Sequence, residues 1–115
     1  MSPRPWYVRI DDILDAMTNI RTFIDGLTED TFVSDKKSIR AVAYEIAVIG
    51  EAVRHLPAEV KERYTTVPWP RLQAMRNVVI HEYFRIDVDL LWHTVVENLL
   101  PLEETLRAIR DAEDG

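Results

Sequence analysis

The sequence predicts an all-α fold, an antiparallel four-helix bundle with short extra helical turns. Three observations carry that prediction. Apolar residues recur every three or four positions along most of the 115-residue chain, only three glycines interrupt it, and the prolines fall between the periodic stretches. A recurrence of three and four places apolar side chains on one face of a helix.

From about Trp6 to Gly26 that face is Ile10, Ile13, Leu14, Met17, Ile20 and Ile24, with Leu27 beyond it, and Gly26 is the natural stop. Thr28-Glu29-Asp30 starts one short turn. Asp35 is an N-cap residue for a second long helix carrying Ile39, Val42, Ala43, Ile46, Ile49 and Val53, which Pro57 ends. A helical piece around Ala58 to Tyr64 leads to Val67-Pro68-Trp69-Pro70, where prolines suit the start of a helix and not its middle. The third long helix runs to about His81. Asp87 caps a fourth, with Leu91, Val95, Leu99, Leu102, Leu106 and Ile109 as its stripe and a bend at Pro101.

At this length residues 1–115 are expected to form one domain able to bury its own core. Cysteine is absent, which removes disulfides, thiolate metal sites and cysteine nucleophiles and fits a cytoplasmic location. The apolar runs are too short to span a membrane, and Met1-Ser2-Pro3-Arg4-Pro5 is not followed by a leader core, so no membrane association is expected. A net charge of −6 argues against coating nucleic acid by bulk electrostatics. Any RNA contact must then be local, and Arg71, Arg76 and Arg85 surround the one stretch with chemistry in it.

That stretch is Arg76-Asn77-Val78-Val79-Ile80-His81-Glu82-Tyr83. Arginine offers a planar, permanently charged fork that matches a phosphate, and histidine exchanges protons near neutrality. Val78, Val79 and Ile80 separate them, so the element is expected to face the core. On a helix, Asn77 and His81 share a face, while Arg76 and His81 are about 140° apart. Convergence therefore needs the length of the arginine, a helix that ends near His81, or a second subunit. The residues alone are also compatible with, and by themselves favour, surface charges at Arg76 and Glu82, a structural histidine at a helix end and a tyrosine that anchors a loop. His55 and His93 read as structural or exposed, and His81, Glu82 and His93 lack the spacing of a zinc motif. Trp69 and Trp92 read as core or interface anchors. Gly50 in mid-helix costs about 1 kcal/mol relative to alanine; either close approach of another helix offsets this, with Glu51 reaching an arginine near the motif, or it is a tolerated surface glycine.

Three blocks together resemble the HEPN superfamily, specifically the HepT-like toxins of the HepT/MntA toxin–antitoxin type. They are Ile49-Gly50-Glu51-Ala52, Trp69 through Met75-Arg76-Asn77-Val78-Val79-Ile80-His81-Glu82-Tyr83, and Asp89-Leu90-Leu91-Trp92. The resemblance spans nearly the whole chain. It implies a homodimer whose motifs meet in a cleft, and a metal-independent endoribonuclease of a type VII-like pair, needing no cofactor. Catalytic roles fall on Arg76 and His81, with Asn77 and Glu51 in support. Tyr83 becomes the residue that an MntA-like nucleotidyltransferase antitoxin modifies with AMP. A non-catalytic helical module that partners such a transferase is the alternative, and the identity of the RNA is not written in the sequence.

Overall fold

The computed structural model describes residues 5–114. Its helices are α1 (Tyr7–Ile24), α2 (Glu29–Val33), α3 (Lys36–Arg54), α4 (Ala58–Arg63), α5 (Trp69–His81), α6 (Val88–His93) and α7 (Glu103–Asp114). A 3₁₀ turn at Tyr83–Arg85 follows α5, and α6 passes into α7 through a π-helical segment, Thr94–Leu99, and a 3₁₀ turn, Leu100–Leu102. The four long helical stretches expected from periodicity are present, with α2 and α4 as the short extra pieces.

The ends form where their capping chemistry dictates. Gly26 takes a left-handed φ of 78° just after α1, a conformation glycine adopts without the penalty of a Cβ. Thr28 and Thr31 exchange the two bonds of a capping box at the start of α2. Asp35 Oδ1 accepts from the Ser38 amide at 3.2 Å and Asp87 Oδ1 from the Leu90 amide at 3.1 Å, fixing the starts of α3 and α6. The Ser38 hydroxyl and amide bonds hold the Asp35 carboxyl below its ordinary pKa.

The core is the sum of the stripes. Ile10, Ile13, Leu14, Met17 and Ile20 of α1 are buried with Ile39, Val42, Ala43, Ile46, Ile49 and Val53 of α3, and with Leu91, Val95, Leu99, Leu106 and Ile109 of the last stretch. Helix α3 packs against both α1 and α5, and α1 also pairs with α7. Trp69 is buried and donates its indole N–H to the Tyr64 carbonyl at 3.0 Å, while Trp92 stacks on Phe32 with centroids 5.2 Å apart. One acid is buried on α3: Glu45 accepts from the Asn19 side chain at 3.1 and 3.4 Å.

The expected bend at Pro101 is a longer change of helix type. Proline lacks an N–H, and its ring crowds the carbonyl four residues back, that of Glu97. Glu97 lies inside the π segment, whose wider turn relieves that crowding.

Two charge pairs tie α1 to the last stretch: Arg21 Nε to Glu103 Oε1 and Arg110 Nε to Asp11 Oδ1, both 2.7 Å. Burial pushes the Glu103 carboxyl up, but hydrogen bonds from Arg21 and Arg107 outweigh it and hold it below its ordinary range. A carboxyl lowered in the folded state adds stability above its unfolded pKa, and that stability is lost as pH falls through the folded value. Arg21→Ala is therefore expected to lower stability by about 0.5–1 kcal/mol at neutral pH. The loss should shrink as pH falls through the lowered folded pKa of Glu103 and its carboxyl takes up a proton. Urea midpoints at neutral pH and across that acid range check this, and an equal loss throughout would show that the pairing with Glu103 is not its source.

Candidate functional site

The site starts from the missing side chain of Gly50. A Cβ built there would lie 2.1 Å from Arg76 Cβ, 2.9 Å from Arg76 Cγ and 3.3 Å from the Leu72 carbonyl oxygen. Glycine thus lets α5 lie directly on α3 at the level of Arg76, which decides for close approach over a tolerated surface glycine. Glu51, the next residue, places a carboxylate oxygen 3.7 Å from Arg76 Nε.

Arg76 is pinned at its base by this contact and at its tip by Asn77, whose Oδ1 accepts from Arg76 Nη1 at 3.2 Å. Its side chain is only 28% exposed. It lines an open cleft of about 470 Å³ whose walls come from α1, α3 and α5: Arg9 and Asp12, then Ala47, Val48, Glu51, Ala52 and Arg54, then Arg76 and Ile80. Glu51 is the hub, also lying 3.7 Å from Arg54 Nη1 and 3.0 Å from His55 Nε2.

Of the residues singled out in the sequence, Arg76, Asn77 and Glu51 are in mutual contact or one step removed. His81 is not. It is the last residue of α5 and exposed, and its imidazole makes no hydrogen bond or ion pair among the described residues. Tyr83, just past the helix end, is half-buried and meets Phe84 edge-on at 5.5 Å. His55 and His93 are exposed surface groups, His93 lying 3.0 Å from Glu29 and 3.2 Å from Glu97.

The expectation that Val78-Val79-Ile80 faces the core is corrected for two of its three residues. Val79 is buried, but Val78 is 49% and Ile80 46% exposed. Three consecutive helical residues span about 200°, more than one buried face can take. The central arginines also divide: Arg71 and Arg85 border a separate apolar groove with Val78, Val79 and Leu90, on another side of α5 from Arg76. The arginines that join Arg76 are Arg9 and Arg54, which sequence reasoning passed over. The one local signal was Arg54, a single helical turn beyond Gly50.

An Arg-x4-His-x-Tyr element at the end of the third long helix, with its arginine lining a cleft beside Arg9 and Arg54, marks a small helical-bundle protein. The chain belongs to the HepT-like ribonuclease family, whose model, described as "Ribonuclease HepT-like", matches residues 13–109. Among its relatives, a protein named "Putative RNase" from Caldanaerobacter subterraneus subsp. tengcongensis is 32% identical over 112 residues, 97% of each chain. Another "Putative RNase", from Methanocaldococcus jannaschii, is 38% identical over 104 residues, 89% of this chain and 85% of that one. A "Probable ribonuclease HepT" from Thermococcus cleftensis is 34% identical over 101 residues, 88% and 92% of the two chains. No solved structure matches the chain significantly. Among the described residues no helix is long and apolar enough to cross a membrane.

Proposed function

We propose that the chain is the toxin of a type VII-like toxin–antitoxin pair, a metal-independent endoribonuclease acting as a homodimer. The observation that carries this reading is the setting of Arg76: a guanidinium drawn into a cleft by Glu51, five residues before an imidazole with no internal partner. A permanent cation and a free proton carrier are what phosphodiester cleavage needs when the nucleophile is the RNA's own 2′-hydroxyl.

In that reaction a base takes the 2′-hydroxyl proton and the oxygen attacks phosphorus. Negative charge grows on the non-bridging oxygens, where Arg76 stabilises it. An acid protonates the departing 5′-oxygen as its bond to phosphorus breaks. The products are a 2′,3′-cyclic phosphate and a 5′-hydroxyl. One His81 does not reach both sides of the phosphorus, and the rotation of about 140° between Arg76 and His81 turns them apart on one helix. A two-fold dimer supplies a second His81, so one ring serves as base and the other as acid. Exposed apolar residues around the motif support such pairing: Val78, Ile80, Phe84 at 95% and Leu90 at 63%.

The test is cleavage of labelled RNA by purified protein with EDTA present, with mass analysis of the ends. Cyclic phosphate and 5′-hydroxyl termini are expected. Cleavage that EDTA abolishes, or 5′-phosphate ends, would overturn the metal-free mechanism.

Regulation follows from Tyr83, two residues beyond His81. A nucleotidyltransferase antitoxin removes the phenol proton, the oxygen attacks the α-phosphate of ATP, and pyrophosphate leaves. In the dimer that this reading requires, the attached AMP puts a bulky anion beside His81, where it repels the RNA phosphate. Phe84, almost fully exposed beside Tyr83, offers the transferase an apolar handhold. Tyr83→Phe is expected to remain toxic yet gain no AMP-sized mass with antitoxin and ATP, measured on the intact protein. Mass addition that persists in the variant would move the modification elsewhere.

A further inference from the structure

The cleft holds more guanidinium groups than one phosphate requires. In a chain of net charge −6, Arg9, Arg54 and Arg76 from three helices line one space of about 470 Å³, against the carboxylates of Asp12 and Glu51. The carboxylate of Glu51 shows what that arrangement selects. One of its oxygens lies 3.7 Å from Arg76, and the other lies 3.7 Å from Arg54 and 3.0 Å from His55. An anion is already seated where the forks converge, and a guanidinium fits phosphate as well as it fits carboxylate.

Spacing gives the site a direction. Arg76 packs on Gly50, and Arg54 follows Gly50 by four residues, a rise of about 6 Å along α3. The two arginines therefore enter the cleft about one helical turn apart along α3, one on each oxygen of Glu51. Arg9 adds a third point from α1, the other helix that packs on α3. Its ion pair with Asp12, at 3.8 Å, is loose enough to yield to a phosphate.

We propose that Arg54 and Arg9 form a flanking phosphate subsite for single-stranded RNA. They take the backbone phosphates next to the one that Arg76 holds, and the phosphate on Arg54 replaces its contact with Glu51, whose other oxygen stays with Arg76. This rests on the ribonuclease reading above for the assignment of the Arg76 phosphate as the scissile one. A flexible single strand is the matching partner, because its backbone can follow the groove and still bring a 2′-hydroxyl in line with phosphorus.

The experiment uses His81→Ala protein so that bound strands stay intact, and compares it with the same protein carrying Arg54→Gln or Arg9→Gln. A labelled oligouridine and uridine 3′-monophosphate are titrated by anisotropy and calorimetry over a range of potassium chloride. Each added substitution should weaken oligouridine binding about 5–20-fold and flatten the plot of log affinity against log salt by about 0.7, the loss of one phosphate contact. Arg54→Lys should restore most of the slope, which guards against a folding defect. The mononucleotide, which fills only the Arg76 position, should bind within about two-fold of the parent. Unchanged salt slopes in both variants, or equal weakening of strand and mononucleotide, would overturn the subsite. A failure of the ribonuclease reading is separate, because then the wild-type protein cuts no RNA whatever these slopes show.

Discussion

His81→Ala is expected to lower RNA cleavage by about 10²–10⁴-fold, the range that positioned acid–base groups contribute, with little change in the fold. The imidazole is exposed at the end of α5 and makes no hydrogen bond or ion pair among the described residues. Its loss removes at most a favourable interaction with the helix C-terminus, about 0.3–1 kcal/mol. Arg76→Ala should lower cleavage comparably, and the double variant little further, because groups acting in one transition state are strongly non-additive. Wild type should show a bell-shaped dependence of rate on pH, with one ring neutral and one protonated at the optimum, and His81→Ala should lose the bell. Thermal melts and single-turnover cleavage of labelled RNA measure both halves. Cleavage by His81→Ala at the wild-type rate would end the acid–base assignment, and a wild type that binds RNA but never cuts it would favour the non-catalytic module.

The fold was legible because its signals are local. Asp35 and Asp87 cap helices as a short acid before an apolar-periodic run does, and the stripes of α1 and α3 follow the period of a single buried face. Gly50 was legible for a different reason. A glycine that weakens a helix needs a compensating contact, and α5 supplies it. Val78 and Ile80 misled because β-branched apolar residues look the same in sequence whether they face this chain's core or open surface. The π segment was hidden because Leu91, Val95 and Leu99 keep a four-residue step that an ordinary helix also satisfies. Arg9 and Arg54 were out of reach since their place beside Arg76 arises only when α1, α3 and α5 assemble.

Gly50→Ala is the substitution expected to disturb both the fold and the site. In an isolated helix alanine is the better residue by about 1 kcal/mol, so propensity alone predicts stabilisation. Packing reverses the sign. The new methyl would lie 2.1 Å from Arg76 Cβ, an atom fixed to the α5 backbone that no rotamer change can move aside. The two helices must separate, and overpacking of this kind costs about 1–3 kcal/mol or more. The melting temperature is expected to fall by roughly 4–8 °C for each kcal/mol lost. Separation also carries Arg76 away from Glu51, so residual activity should fall further than the unfolded fraction explains. Gly26→Ala is the contrasting control: its φ of 78° makes alanine strained, but nothing lies within 4 Å, so it should weaken the turn after α1 and leave the cleft intact. Urea denaturation of both variants, with cleavage measured where each is fully folded, separates the effects. A Gly50→Ala protein as stable and as active as wild type would show that α5 does not depend on the missing side chain to hold Arg76 in place.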